Sequence, residues 1–138
     1  MPMSSLMKGA YILVLDLPGD LSVMIGKRGI YHFKKGYYVY VGSALNSLDQ
    51  RIQRHLRRHK KIHWHIDYFL QFAEIVRIFY KINTQREECR IANAFKKEFK
   101  GIPNFGCSDC SCSSHLFSGA YEGILTKAYD LGMSLYVF

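Results

Sequence analysis

The sequence predicts a single mixed domain of the α/β (α+β) class, and three observations lead to that prediction. The 138 residues are enough to bury one core and too few for two ordinary domains. Strand-type apolar runs fill the first third of the chain, and segments with helical apolar spacing and capping signals follow. We find no repeat and no low-complexity segment, so residues 1–138 are treated as one domain.

Four strands are predicted before residue 45. Residues 10–17 are apolar on both faces, which is typical of a buried strand, and turn residues at 18–20 separate them from a second strand at 21–25. A third strand at 30–33 and a fourth at 36–44 follow further turn residues. We expect the first of these strands to form a meander.

The fourth strand, "GYYVYVGSA", contains three tyrosines. Strand alternation places Tyr38, Tyr40 and Gly42 on one face and Tyr37 on the other. Tyr37 is interpreted as a packing residue. Because glycine has no side chain, we expect a nucleic-acid phosphate to approach the backbone at Gly42.

A basic helix is predicted directly after this strand. "SLDQ" at residues 47–50 is a capping box, and Leu48, Ile52 and Leu56 form an apolar stripe. The basic residues flanking the stripe form two rows, with Arg51, His55 and Arg58 beside the stripe and Arg54, Arg57 and Lys61 on the solvated side. We expect the first row to border a cleft.

Three more helices and two more strands are predicted in the second half of the chain. A short helix at 66–72 precedes a strand at 75–82, and the capping box "TQRE" at 84–87 opens a helix that ends near residue 100. Helical spacing at 121–131 precedes a last strand, "SLYVF".

The charge of the chain favours a polyanionic partner. The formal net charge is +8, and the densest basic run lies between residues 51 and 61, which indicates nucleic acid. The longest apolar runs fall far short of the roughly 18 residues of a spanning helix. We therefore expect a cytoplasmic protein with no membrane span.

Glu88 occupies an unusual place on its predicted helix. The apolar face of this helix consists of Ile91, Ala92, Phe95 and Phe99. Glu88 falls on the same stripe, whereas its neighbour Glu87 should point into solvent. An unpaired buried carboxylate is costly, so Glu88 needs a cation, hydrogen-bond donors or a metal. The alternative is that it only complements the helix dipole in the first turn.

Several of these residues form an ordered set. "GAY" at 9–11 and "YVG" at 40–42 are followed by Arg51 and His55 on one helix and Glu88 on another. This set resembles the GIY-YIG nuclease family. "YVYVGSA", "HWHIDY", "FGCSDCSC" and "SHLF" further resemble its small stand-alone archaeal group, the Uri-type endonucleases. The resemblance covers residues 8–106, followed by a cysteine-rich loop at 107–117 and a C-terminal extension at 118–138.

The resemblance implies a small, mainly antiparallel central sheet flanked by helices. It also implies hydrolysis of phosphodiester bonds in DNA, with RNA as the less favoured substrate, using one Mg²⁺ or Mn²⁺ ion. Glu88 would bind the ion and Arg51 would steady the phosphate, while Tyr11 would act as base and Tyr40 would orient the water or the phosphate. His55 stands where several members carry a histidine. These roles suit phosphoryl transfer, which needs positioning and charge neutralisation.

Two departures from the family pattern keep a second function open. Many relatives carry the metal-binding Glu nearer the following Pro, and an alignment at Pro103 would put residue 93 or 94 there. Helical phase favours Glu88, because Asn93 lies off the apolar stripe. The late Asn of the family is Gly106 here, so its role is either lost or served imperfectly by Asn104, two residues earlier. The alternative is a non-catalytic nucleic-acid-binding module on the same fold.

The cysteine-rich loop is a candidate zinc site. Cys107, Cys110, Cys112 and His115 form a C-x2-C-x-C-x2-H array, and Cys89 could replace Cys107 as a ligand. Free thiols are the alternative. Disulfides are less favoured, because the spacing differs from that of a small secreted domain.

The stretch "HWHID" allows two interpretations. His63, His65 and Asp67 would gather on one face of an extended segment, or Asp67 would cap a helix and leave surface histidines. Trp64 would either stack on a base or pack in the core. Outside the catalytic set, the predicted nucleic-acid contacts are Gly42, Arg54, Arg57, Arg58, Lys60, Lys61, His63 and His65.

Overall fold

The computed structural model describes residues 7–83, 87–105 and 114–138. In these ranges a six-stranded antiparallel sheet and a separate hairpin pack with four helices, so the predicted α+β class is confirmed. None of the helices in the described ranges has the length and apolar composition needed to span a membrane.

The elements lie close to their predicted positions. The first half of the chain forms β1 (Gly9–Leu17), β2 (Leu21–Met24), a 3₁₀ turn (Gly26–Arg28), β3 (Ile30–Phe33), β4 (Gly36–Ala44), α1 (Leu48–Leu56) and α2 (His65–Phe69). The second half forms β5 (Glu74–Ile82), α3 (Glu88–Lys96), β6 (Lys100–Gly101), β7 (Leu116–Ser118), α4 (Tyr121–Asp130) and β8 (Ser134–Leu135). The short strands β6 and β7 were not predicted, and most of the capping box at 84–87 lies outside the described residues.

The sheet has the strand order β6-β7-β4-β1-β5-β8. β1 is buried on both faces, and it therefore takes a central position between β4 and β5, the two other long strands. The predicted meander is wrong, because β2 pairs with β3 rather than with β1. β2 alternates half-buried and exposed residues, so only one face of this hairpin packs on the core.

Strand alternation divides the core into two layers, one on each face of the sheet. Odd-numbered residues of β1, such as Tyr11, pack with α1, α2 and the hairpin on the first face. Even-numbered residues, such as Ile12, pack with α3 and α4 on the second face. The predicted division of β4 is confirmed, because Tyr40 belongs to the first layer and Val41 to the second.

Helix α1 begins as predicted, but it ends before Arg58, the last residue of the predicted row Arg51, His55 and Arg58. The Ser47 hydroxyl accepts the Gln50 backbone N–H at 3.1 Å, which completes the expected cap. The helix ends at Leu56, so Arg58 lies in an exposed bend and does not continue the row of Arg51 and His55. That part of the helical prediction is wrong.

Candidate functional site

The Tyr11 hydroxyl and the His55 imidazole form the centre of the candidate site. β1 and α1 bring them together on the first face of the sheet, with 2.6 Å between Tyr11 Oη and His55 Nε2. Their residues are only 1% and 2% exposed. Burial lowers the pKa of His55 from 6.5 to about 3, so the imidazole is neutral near pH 7.

The protonation states of this pair follow from its burial. Burial raises the pKa of the Tyr11 hydroxyl far above its ordinary value of 10.0, although the charge of Arg51 opposes the shift. The hydroxyl is therefore protonated and donates to His55 Nε2, the stronger acceptor of the two atoms. The ring proton of His55 is then on Nδ1, which has no hydrogen-bond partner among the described residues. A buried donor of this kind is unusual and marks the ring as a candidate functional group.

Tyr40 completes the aromatic part of the site. Its ring centre lies 6.1 Å from that of His55, and the residue is buried. Burial raises the pKa of its hydroxyl well above the ordinary value, and the negative charge of Glu88 adds to the effect. Tyr40 is thus a neutral hydroxyl close to the Tyr11–His55 pair.

Arg51 is held in place by two contacts. Its Nη1 donates to the Ser43 carbonyl oxygen at 3.0 Å, and its guanidinium carbon lies 4.5 Å from the centre of the Trp64 ring. Arg54 lies 4.3 Å from the same ring. A guanidinium over an indole face is attracted by the ring quadrupole. The half-buried Trp64 therefore packs against two cations, a role that the sequence interpretation did not contain.

Glu88 is buried at the first turn of α3, as its place on the apolar stripe predicted. The Ser43 hydroxyl donates to its Oε1 at 2.6 Å, and its Oε2 lies 3.2 Å from His115 Nδ1. These groups provide the compensation that a buried carboxylate requires. Asn93 is exposed, in agreement with the helical phase that favoured Glu88 over residue 93.

Ser43 joins the two halves of the candidate site. Tyr11, Arg51 and His55 come from the first face of the sheet, whereas Glu88 comes from α3 on the second face. The Ser43 carbonyl accepts from Arg51 and the Ser43 hydroxyl donates to Glu88, so both residues meet at the end of β4. The structure thus brings the five predicted catalytic residues into one neighbourhood without placing them on one face.

A divalent cation would find a suitable but incomplete set of ligands here. Among the described residues, Oε1 of Glu88 contacts Ser43 and Oε2 contacts His115, and a carboxylate oxygen can accept more than one such contact. Within the described ranges no group of three His, Cys, Asp or Glu side chains could hold a metal ion. Glu88 alone supplies one carboxylate, and Mg²⁺ commonly uses one or two carboxylates together with waters and substrate phosphates.

Gly42 has a different purpose from the predicted phosphate approach. It lies opposite Tyr11 in the β1–β4 register, and a Cβ atom at position 42 would lie 2.4 Å from the Tyr11 Cζ and Oη atoms. The space above Gly42 is therefore filled by the Tyr11 ring. The expectation that a phosphate enters there is wrong, because glycine is needed to admit the ring.

Arg54 is a structural residue, and its predicted solvated position is wrong. Its guanidinium forms a two-bond pair with the fully buried carboxylate of Asp67, at 3.1 and 3.0 Å. Asp67 also accepts the backbone N–H groups of His63 and Trp64. Burial alone would raise the pKa of Asp67, but these hydrogen bonds, with that of Arg54 first, lower it below its usual value. The capping interpretation of Asp67 is therefore correct, and α2 is helical from His65.

The other predicted nucleic-acid contacts divide into two groups. Lys60 donates to the carbonyl oxygens of His55 and Arg57, at 2.7 and 2.8 Å, and so caps the end of α1. The ring of His65 contacts that of Phe105. Exposed side chains that remain available at the surface are those of Arg57, Arg58, Lys61 and His63.

The zinc prediction lies mostly outside the described residues. Cys107, Cys110 and Cys112 fall in that gap, whereas His115 is buried against Glu88. Cys89 is disulfide-bonded, contrary to the expectation of free or metal-bound thiols. A disulfide sulfur is no thiolate ligand, so a zinc role for Cys89 would require its reduced form. A structural zinc ion stays a prediction.

The sequence interpretation missed Ser43, and it did not predict the contacts that His115 and Glu87 make near the site. Ser43 and His115 contact Glu88, and Glu87 pairs with Arg90 and lies 3.7 Å from Lys81 Nζ. Glu87 is buried, so its predicted solvent orientation is wrong. A local signal could have found Ser43, since it directly follows the "YVG" stretch.

Comparison with known proteins changes the family expectation. The chain matches the family model of DUF123, described as a domain of unknown function, over residues 10–135. The resemblance to GIY-YIG nucleases is therefore wrong as a family assignment, because this match covers most of the chain and no GIY-YIG family matches it. Short tripeptides such as "YVG" recur by chance in strands. No curated protein and no solved structure matches the chain.

Proposed function

The chain belongs to the DUF123 family, a domain of unknown function, and from its site we propose that it is a divalent-metal-dependent endonuclease that hydrolyses phosphodiester bonds in DNA. The observation that carries the proposal is the meeting of a buried carboxylate and a fixed guanidinium at Ser43. These two groups suit phosphodiester cleavage, because a carboxylate can hold a cation and a guanidinium can bind the phosphate.

Arg51 is the proposed phosphate ligand. The Ser43 carbonyl engages only Nη1, so further N–H donors of the guanidinium are left for the phosphate oxygens. Contact with Trp64 limits the motion of the side chain, so little conformational entropy is lost when the phosphate binds. Glu88 would hold the divalent cation, which when bound supplies charge neutralisation and acidifies its water.

Tyr11 and His55 are the proposed route for the proton of the attacking water. Tyr11 Oη accepts that proton while its own proton passes to His55 Nε2, along the 2.6 Å hydrogen bond. The resulting hydroxide attacks phosphorus, and the leaving oxygen takes a proton from solvent. The negative phosphate favours the imidazolium and so opposes the depressed pKa of His55. Tyr40 orients the water or the phosphate.

Exposed cations support DNA as the substrate, with RNA as the less favoured one. Arg57, Arg58 and Lys61 lie after α1, close in sequence to Arg51 and His55. Basic side chains of this kind neutralise backbone phosphates independently of sequence, and binding should therefore weaken with salt. The proposal places the protein in the cytoplasm.

The second candidate is a nucleic-acid-binding module without catalysis. The observation that favours it is the protonation of the site, because burial keeps both tyrosine hydroxyls protonated and lowers the pKa of His55 to about 3. No group of the Tyr11–His55 pair is then a ready base in the unliganded protein. This candidate predicts salt-sensitive DNA binding and no cleavage with any divalent metal.

The test is cleavage of plasmid and branched DNA in the presence of Mg²⁺ or Mn²⁺. We expect Glu88→Gln to reduce cleavage by about 100-fold or more, since the amide lacks the charge that binds the cation. Glu122→Gln is the matched control, because Glu122 is also in the first turn of a helix but is exposed. Thermal melts of both variants verify folding.

Two results would contradict the assignment. Cleavage by Glu88→Gln at the wild-type rate would remove Glu88 from the site. Salt-sensitive binding by the wild-type protein, without cleavage of either substrate with either metal, would favour the second candidate.

A further inference from the structure

The β2–β3 hairpin packs on the first face of the sheet and turns one of its own two faces outward. On the inner face, side chains such as that of Phe33 belong to the first core layer. The outer face carries two cross-strand pairs, Ser22 with His32 and Met24 with Ile30. The hairpin is therefore a two-stranded ribbon with one buried side and one exposed side.

Met24 and Ile30 form an apolar pair on the exposed side. Each residue is 61% exposed, and the two lie directly opposite each other in the β2–β3 register. The other pair is polar, and its Ser22 hydroxyl and His32 Nδ1 are hydrogen-bonded to each other at 2.7 Å. A single exposed apolar residue is normal, but two adjacent ones form a patch that gains stability when it is covered.

The apolar pair stands on a rigid support. Directly after Met24, Ile25 is completely buried, and its backbone N–H donates to the Gly29 carbonyl oxygen at 3.0 Å. At the other end of the hairpin, the centre of the Phe33 ring lies 4.8 Å from that of Phe69. Because both ends of the ribbon are held, little conformational entropy is lost when a partner covers the pair.

The charge of the hairpin favours a polyanion as that partner. Residues 21–35 contain four Lys or Arg and no Asp or Glu. Lys27 in the turn and Lys34 and Lys35 after β3 are exposed. Asp20, the carboxylate that precedes this segment, accepts the Lys35 backbone N–H at 2.8 Å. A DNA duplex matches this combination, because its phosphates border grooves in which apolar side chains can contact the base pairs.

We propose that the outer face of the hairpin binds the minor groove of a DNA duplex, with Met24 and Ile30 inserted at a base step. Lys27 and Lys34 contact the phosphates that border the groove. Met and Ile are among the side chains that minor-groove proteins insert between base pairs, whereas major-groove readout depends largely on polar side chains. The proposal rests on the proposed function for the choice of DNA as the partner, but it requires no cleavage.

The test is fluorescence anisotropy of a labelled duplex with a central TA step, which is flexible and easily unstacked. The full-length protein is used without divalent metal, so that no strand is cut. We expect the double variant Met24→Thr, Ile30→Thr to bind the duplex about tenfold or more weakly, because the apolar contact at the step is lost. Threonine keeps a high β propensity, and thermal melts verify folding.

A second measurement follows the base step itself. A 2-aminopurine beside the TA step fluoresces more strongly when it is unstacked, so the wild-type protein should raise its fluorescence and the double variant should not. A single strand has no minor groove, and both proteins should bind it equally. Leu135→Thr is the matched control, because Leu135 is an exposed apolar strand residue on β8, outside the hairpin. Lys27→Ala should reduce the salt dependence of duplex binding.

The outcomes distinguish this proposal from the proposed function. Wild-type duplex affinity in the double variant, or wild-type binding without a rise in 2-aminopurine fluorescence, would overturn the hairpin assignment even if the protein cuts DNA. Absence of duplex binding by the wild-type protein would overturn it too.

A second copy of the chain is the other occupant that the experiment examines. A dimer in sedimentation velocity that the double variant dissociates would overturn the proposal, because the apolar pair would then lie between two copies. Loss of duplex affinity and of the fluorescence rise in the double variant supports the hairpin. It does so even if no metal produces cleavage, in which case only the endonuclease proposal fails.

Discussion

Acid should destabilise this protein through His55 before its carboxylates titrate. In the folded state burial lowers the pKa of His55 from 6.5 to about 3, whereas the unfolded chain exposes an ordinary imidazole. Between these two values the unfolded state binds more protons than the folded state. The contribution of His55 to the free energy of unfolding is therefore fully present above the unfolded pKa. It is lost as the pH falls from the unfolded pKa towards the folded pKa.

The size of this loss of stability follows from the pH interval between the folded and unfolded pKa values of His55. One proton changes the free energy of unfolding by at most about 1.4 kcal/mol per pH unit. At about pH 5, which is roughly 1.5 units below the unfolded pKa, the expected loss relative to about pH 8 is about 2 kcal/mol. This pH lies well above the folded value of about 3, so the loss depends little on that value. Asp67, whose pKa is lowered, contributes chiefly at still lower pH.

The assay is urea denaturation at several pH values between about 5 and about 8, with the free energy of unfolding extrapolated to water. The free energy of unfolding should differ between about pH 5 and about pH 8 by about 2 kcal/mol less in His55→Gln than in the wild-type protein. Glutamine can accept the hydrogen bond of the Tyr11 hydroxyl but does not titrate. His59→Gln is the matched control, since His59 is exposed beyond α1. A pH dependence that survives unchanged in His55→Gln would refute the buried, neutral state of this imidazole.

Two more substitutions test the packing around the site. Gly42→Ala should cost about 1–3 kcal/mol of stability in the same assay, because its Cβ would lie 2.4 Å from the buried Tyr11 ring. Gly19→Ala, with nothing within 4 Å, should be nearly neutral, and an equal effect of both would argue against the clash. Asp67→Asn should cost about 2–3 kcal/mol by weakening the buried pair with Arg54, and an unchanged denaturation midpoint would show that the pair contributes nothing net.

Local signals in the sequence predicted the individual elements well. The doubly apolar run at residues 10–17 became the central strand β1, and the capping box at Ser47 became the start of α1. Helical phase alone placed Glu88 on a buried stripe. Each of these features depends on residues within a few positions of one another, and spacing within one element reports them directly.

The failed predictions involve partners from other elements. The residue spacing in α1 predicted that Arg54 faces solvent. That spacing carries no information about Asp67, the partner of Arg54, because Asp67 belongs to α2. An open space was predicted above Gly42 because its own strand gives no information about Tyr11. The Tyr11 ring, which fills that space, belongs to β1. Strand pairing failed for the same reason, since a run of strands in sequence does not state which of them become neighbours.

The candidate site depends on both layers of the core at once. Arg51 is carried by α1, which packs on the first face, whereas Glu88 is carried by α3, which packs on the second. Their only shared residue in the described hydrogen-bond network is Ser43, at the end of β4. Neither layer alone could hold the carboxylate and the guanidinium at their observed places. The geometry at Ser43 is therefore a property of the whole sheet, and a change in packing on either face reaches the site through β4.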